Sequence, residues 1–116
     1  MNLDSALQKH MEWKVTFRTA ISKQEQMDAS TIAKDNCCEL GKWLHGEGKT
    51  ECGDLTSFAT TLTKHAAFHV EAGKIASAIN AQKYTEAETM LGGSSPFSAV
   101  SNEVGVAIMR LKKEAA

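Results

Sequence analysis

The sequence predicts an all-α protein, a four-helix bundle with one or two short additional helices. Apolar residues recur every three to four positions along most of the 116-residue chain, which is the spacing of a helix face that packs against a core. No stretch shows the apolar–polar alternation of a strand. The only proline, Pro96, follows two serines, a pattern typical of a helix start. Amphipathic helices of this kind bury their apolar faces in a bundle.

Length and charge limit the class of protein. A chain of 116 residues predicts a single domain spanning 1–116. Its formal net charge of -1 and its lack of a basic cluster argue against a nucleic-acid partner. There is neither an apolar run long enough for a bilayer nor an N-terminal signal-peptide core, so we expect no membrane association and a cytoplasmic location.

The first helix is predicted from about Leu3 to Ser22, with Asn2 or Asp4 as a cap. Its inward face carries His10 between the apolar positions Leu7 and Phe17, so the imidazole is expected to point into the bundle.

Two short helices are predicted next. The first lies around Thr31 to Lys34 and is capped by Asp28 or Ser30; the second covers residues 36–46 in two to three turns. Gly41 within the second indicates either close approach of another helix or simple tolerance of a glycine. The glycine-containing stretch 46–53 is predicted to be a loop.

The chain has three cysteines, at positions 37, 38 and 52. An odd number in a reducing compartment favours free thiols. Cys37 and Cys38 are adjacent, which is a poor geometry for a disulfide between them. Metal binding or redox chemistry is therefore the better interpretation for at least one of these thiols.

The long helix that follows is predicted to begin after a cap at Asp54 and to break around residues 80–83. His65 and His69 stand four apart on its apolar face, one turn from each other. Two buried imidazoles without partners would cost free energy, and a shared metal ion removes that cost. A helix from Tyr84 to Leu91 and a last helix after Pro96 complete the prediction.

The inward candidates are now His10, Cys37 or Cys38, His65 and His69. Three imidazoles and one thiolate make a closed tetrahedral zinc site, which leaves no position for a substrate. A hemerythrin-type di-iron centre needs more than the four histidines present. A ferritin-type site needs Glu-x-x-His pairs, and the sequence has none.

Three motifs occur in order: His10-x-x-Trp13, Cys38-x-Leu40-Gly41-x-Trp43 and His65-x-x-x-His69. Together they resemble the motifs of the chemoreceptor zinc-binding (CZB) domain family, and the resemblance covers nearly the whole chain. It implies a helical bundle with one Zn²⁺ per chain. It also implies the metal ligands, Cys38 being favoured over Cys37: His10, Cys38, His65 and His69.

The resemblance further implies a bacterial regulatory module rather than an enzyme. Members act as homodimers attached to chemoreceptors or diguanylate cyclases, and they are linked to sensing of zinc and of oxidants such as hypochlorite. Cys38 is then the redox-sensing residue, because a thiolate is more oxidisable than an imidazole. The alternative is a purely structural zinc-stapled dimerisation module. Asp35 and Glu39 are candidate hydrogen-bond acceptors for the ligand histidines.

Overall fold

A computed structural model describes all residues, Met1–Ala116, and shows eight helices and no strand. The all-α prediction is confirmed, and the short helices number four, more than the one or two expected. In chain order the helices are α1 (Leu3–Met11), α2 (Trp13–Lys23), α3 (Ala29–Ile32), α4 (Glu39–Leu44), α5 (Glu47–Cys52), α6 (Thr56–Asn80), α7 (Tyr84–Met90) and α8 (Pro96–Ala115). None of them combines the length and the apolar character that a bilayer-spanning helix needs.

The predicted first helix is divided at Glu12 into α1 and α2. The Thr16 hydroxyl donates to the Glu12 carbonyl at 3.2 Å, while the Thr16 amide donates to the same oxygen at 3.0 Å. Side-chain bonding of this kind bends a helix. His10 nevertheless points inward as predicted, because α1 packs its Leu3 and Ala6 side against the core.

The prediction of a loop over residues 46–53 is wrong, since Glu47–Cys52 form the helix α5. Gly48, one of the glycines in this stretch, allows close packing instead. A Cβ at Gly48 would lie 2.6 Å from the Trp43 indole, so only a glycine lets α5 sit against that ring.

The predicted cap of the long helix is also wrong. The N-cap residue of α6 is Leu55, not Asp54, and the Leu55 side chain makes no capping hydrogen bond. Glu114, at the far end of α8, accepts from the Ser57 amide at 2.9 Å and from its hydroxyl at 2.6 Å. These bonds hold the pKa of the Glu114 carboxyl below its usual value. A carboxylate from another helix thus satisfies the positive end of α6.

The core is one cluster of 19 buried residues, and α6 runs through its centre with α8 packed along it. Phe17, Phe68 and Ile75 within it have no exposed surface. His65 and His69 lie on the buried side of α6, so the bundle places two imidazoles among apolar side chains.

Candidate metal centre

Four donor atoms from three parts of the bundle converge at one point. Cys38 Sγ lies 3.3 Å from His65 Nε2, 3.5 Å from His69 Nε2 and 3.9 Å from His10 Nε2. His65 Nε2 lies 3.1 Å from that of His10 and 3.0 Å from that of His69. All four donors lie within 4.8 Å of one another. We call these residues the His₃Cys cluster, and the structure positions them to bind one metal ion.

Burial disfavours the charged form of all three imidazoles of the cluster. His10 is 4% exposed, His65 0% and His69 2%, and burial lowers the pKa of all three. The pKa of His65 falls to about 2, first through burial and then through the neighbouring histidines. A neutral ring keeps one nitrogen lone pair free for a metal.

Hydrogen bonds decide which nitrogen that is. His10 Nδ1 donates to the Ala6 carbonyl and His69 Nδ1 to the Ile32 carbonyl, both at 2.8 Å. A carbonyl can only accept, so the proton sits on Nδ1 and the Nε2 lone pair faces the cluster. His65 differs, because its buried Nδ1 has no partner.

Asp35 and Glu39 do not serve as acceptors for these rings, so that prediction is wrong. Asp35 lies 3.0 Å from the exposed His45, and Glu39 pairs with Lys9 at 2.8 Å. The acceptors in the structure are main-chain carbonyls, which every residue carries. No side-chain pattern in the sequence therefore signals them.

Cys38 enters the cluster as the N-cap residue of α4. Its Sγ accepts the Gly41 amide at 3.3 Å. Burial raises the pKa of the Cys38 thiol, and the hydrogen bond from Gly41 opposes this. A bound cation would add the charge that a thiolate needs in this buried setting.

The arrangement fits zinc. A tetrahedral ion with Zn–N of about 2.0–2.1 Å and Zn–S of about 2.3 Å separates its donors by roughly 3.3–3.6 Å, close to the spacings in the cluster. Two neutral imidazoles whose lone pairs face each other near 3 Å repel unless a proton or a cation lies between them. A neutral His65 can turn its one N–H toward only one of the neighbouring donor atoms, and burial disfavours a second proton on the ring, so a metal cation is the group that satisfies all four donor atoms at once.

Cys38 is the only member of the cluster with a partly exposed side chain. A half-open cavity of about 350 Å³ reaches both Cys38 and His10, and Lys9 and Glu39 also line it. The other thiols lie elsewhere: Cys37 is exposed beside the cluster, and Cys52 is buried in the hydrophobic core.

The ring of Phe68 packs against two imidazoles of the His₃Cys cluster. The spacing within the His-x-x-x-His motif puts it on a different part of α6 from the two histidines, and in the structure it has no exposed surface. Its ring meets those of His10 and His69 edge-on at centroid distances of 5.2 and 5.4 Å, and it packs on Phe97 at 5.3 Å. The aromatic contacts hold two of the imidazoles in place.

Comparison with known proteins agrees with this geometry. The sequence-family model of the chemoreceptor zinc-binding domain matches residues 10–76, which include the whole His₃Cys cluster. The match ends at Ala76, so it covers less of the chain than the three motifs suggested. Searches of curated proteins and of solved structures gave no match. Because the model covers more than half of the chain and the cluster provides one complete set of zinc ligands, the chain belongs to the chemoreceptor zinc-binding domain family.

Proposed function

We propose that this zinc-binding domain is a regulatory sensor, in which His10, Cys38, His65 and His69 hold the ion and Cys38 responds to oxidants such as hypochlorite. The observation that carries the proposal is the asymmetry of the cluster. The three imidazoles are buried, whereas the thiol is partly exposed and opens onto a cavity of about 350 Å³. The oxidisable ligand is thus also the accessible one.

The chemistry at Cys38 is a two-electron oxidation. Bound zinc supplies the positive charge that keeps the thiol deprotonated. The thiolate sulfur attacks the chlorine of hypochlorous acid, an S–Cl bond forms and hydroxide leaves. Water then displaces chloride from sulfur and releases a proton, which gives a sulfenic acid. Sulfur is oxidised and the chlorine is reduced to chloride.

Oxidation weakens or alters two interactions of Sγ at once. The sulfenic acid is a weaker metal donor than the thiolate, and the added oxygen changes the contact between Sγ and the Gly41 amide. That amide belongs to the first turn of α4. We therefore expect oxidation to release the ion and the N-terminal end of α4 together.

A Cys38→Ser variant tests the proposal against a Cys37→Ser control. Zinc-loaded protein is treated with limiting hypochlorous acid, and zinc release is followed with a chromogenic chelator while mass spectrometry locates the added oxygen. We expect wild type and Cys37→Ser to release zinc in proportion to oxidation of Cys38. The Cys38→Ser variant should bind zinc about 100-fold more weakly or worse. Unchanged zinc affinity together with unchanged release in Cys38→Ser would refute the assignment.

A purely structural role for zinc is the second candidate. It is favoured by the closed donor set, with three ligands at most 4% exposed. Under this alternative, removal of zinc or oxidation of Cys38 produces no local conformational change. The domain either keeps its conformation or unfolds as a whole. Circular dichroism combined with hydrogen exchange on metal-free protein separates the two, because a sensor would show a folded protein with local changes near α4.

We also propose that the domain works as a cytoplasmic homodimer coupled to a chemoreceptor or diguanylate cyclase, and that it is not an enzyme. Half-exposed apolar residues on α1 and α8, among them Met11, Val106 and Met109, line one open groove and support a contact between two copies. Light scattering after size exclusion gives the mass; a monomer at all micromolar concentrations would oppose the dimer.

A further inference from the structure

One face of α6 carries more than the two histidines. Counting on from His65 and His69 in steps of one or two turns leads to Gly73 and then to Asn80, which ends the helix. Residues at these spacings share a helix face. The first two belong to the His₃Cys cluster, and the other two contact the segment between α2 and α4.

That segment, residues 24–38, lies along the same face and is called the strap. It contacts Asn80 through Met27, His69 through Ile32 and the cluster through Cys38. The strap therefore runs along α6 from its C-terminal end back to the metal centre. The Ile32 carbonyl is the atom that fixes the Nδ1 proton of His69.

Gly73 allows the strap to lie this close. A Cβ on Gly73 would lie 2.6 Å from Ala33 Cβ and 3.0 Å from Ala33 Cα. A methyl group there would push the strap off α6 at the residue next to Ile32. The position of α3 that brings Ala33 against Gly73 is therefore the same position that places the Ile32 carbonyl within hydrogen-bond distance of His69.

Asn80 holds the other end of the strap. Its Oδ1 accepts from the Met27 amide and its Nδ2 donates to the Met27 carbonyl, both at 2.7 Å. Gln26 Nε2 adds a bond to the Asn80 carbonyl at 3.2 Å. Asp28, the next strap residue, caps α3 through the Thr31 amide and hydroxyl. The amide of one side chain thus anchors the turn from which α3 starts.

We propose that Gly73 and Asn80 are positioning residues for the metal centre, acting through the strap on His69. The inference rests on the proposed function. It adds a route by which binding or loss of zinc at His69 affects the contacts of Asn80 at the C-terminal end of α6, roughly 16 Å away at 1.5 Å per residue. Coupling is reciprocal. Binding of zinc at His69 therefore tightens the contact between Met27 and Asn80, and loss of that contact weakens zinc binding.

The test measures zinc affinity by chelator competition in full-length Gly73→Ala, Asn80→Ala and Asn80→Asp. Gly93→Ala, at a glycine with open space around it, and Asn102→Ala, at an exposed asparagine, are the controls. Groups that orient a metal-binding histidine are typically worth 10–100-fold in affinity. We expect about tenfold weaker binding for Gly73→Ala and Asn80→Ala, a loss at least as large for Asn80→Asp, whose second carboxylate oxygen would face the Met27 carbonyl in place of the Nδ2 donor, and changes within about twofold for the controls.

Two further measurements separate positioning from mere stability. The Co²⁺-loaded variants should show altered d–d bands, and hydrogen exchange at the Met27 amide of wild type should slow when zinc binds. If Gly73→Ala fails to fold, Asn80→Asp decides the question. Wild-type affinity and spectra in the folded Asn80 variants, or zinc-independent exchange at Met27, would overturn this inference alone. Failure of wild type to bind zinc would overturn the proposed metal site and this inference with it.

Discussion

Replacing Gly41 by alanine is expected to disrupt the domain around Cys38. A Cβ at this position would lie 1.8 Å from the Asp35 carbonyl oxygen, 2.7 Å from its carbonyl carbon and 3.1 Å from Asn36 Cα. These are main-chain atoms, so no side-chain rotation relieves the overlap, and α4 or the strap must move. Overpacking of this kind costs about 3 kcal/mol or more. Since Gly41 also donates to Cys38 Sγ, zinc affinity should fall together with stability.

Gly105→Ala is the matched control, because it places the same methyl group in another helix. There the added Cβ would lie 3.4 Å from Leu7 Cδ1, the end of a flexible side chain. Alanine favours the helix over glycine by up to about 1 kcal/mol, so this variant should be unchanged or slightly more stable. Chemical denaturation with and without zinc checks both. Equal stability of Gly41→Ala and Gly105→Ala would contradict the packing argument.

Removing the central imidazole by His65→Ala is expected to abolish tight zinc binding. His65 Nε2 lies within 3.3 Å of three other donor atoms of the cluster, so no other residue can replace it. A four-ligand structural zinc site contributes about 10–16 kcal/mol, and one ligand's share of roughly 3 kcal/mol corresponds to an affinity loss of about 100-fold or more.

Without metal, the same substitution should cost little. The buried imidazole lacks a partner at Nδ1, and its Nε2 can share a proton with only one of the two neighbouring Nε2 atoms, so its removal relieves unsatisfied polar contacts while it leaves a cavity. The zinc-dependent rise in melting temperature should therefore disappear in His65→Ala. His45→Ala, which removes the fourth, exposed histidine outside the cluster, should keep that rise in full. A zinc-dependent rise of wild-type size in His65→Ala would contradict the site.

The metal centre was more predictable from the sequence than the fold details around it. His65 and His69 follow from helical periodicity, and His10 from its place in an apolar stripe. These signals are local, because a helix fixes which residues share a face. The choice of Cys38 over Cys37 depended on the motif with Leu40 and Gly41, and the structure supplies the physical reason for the glycine: the nearby main chain at Asp35 rather than another helix.

What the sequence missed depends on packing and on main-chain contacts that side-chain patterns do not show. The cap of α6 comes from Glu114, 57 positions after Ser57, and no local pattern at Asp54 or Leu55 shows it. Gly48 lies in the stretch 46–53 that is predicted to be a loop, and its packing against the Trp43 ring is visible only in three dimensions. The acceptors for His10 and His69 are main-chain carbonyls, which carry no sequence signal.

We expect each chain to hold one zinc ion through the His₃Cys cluster. Native mass spectrometry with elemental analysis, on protein purified without added metal, tests it most directly. We expect one zinc per wild-type chain and per His45→Ala chain, and loss of that zinc from Cys38→Ser and His65→Ala during dialysis against a chelator that leaves wild type loaded. A metal-free wild-type protein that also fails to take up added zinc, or full retention by both cluster variants, would contradict it.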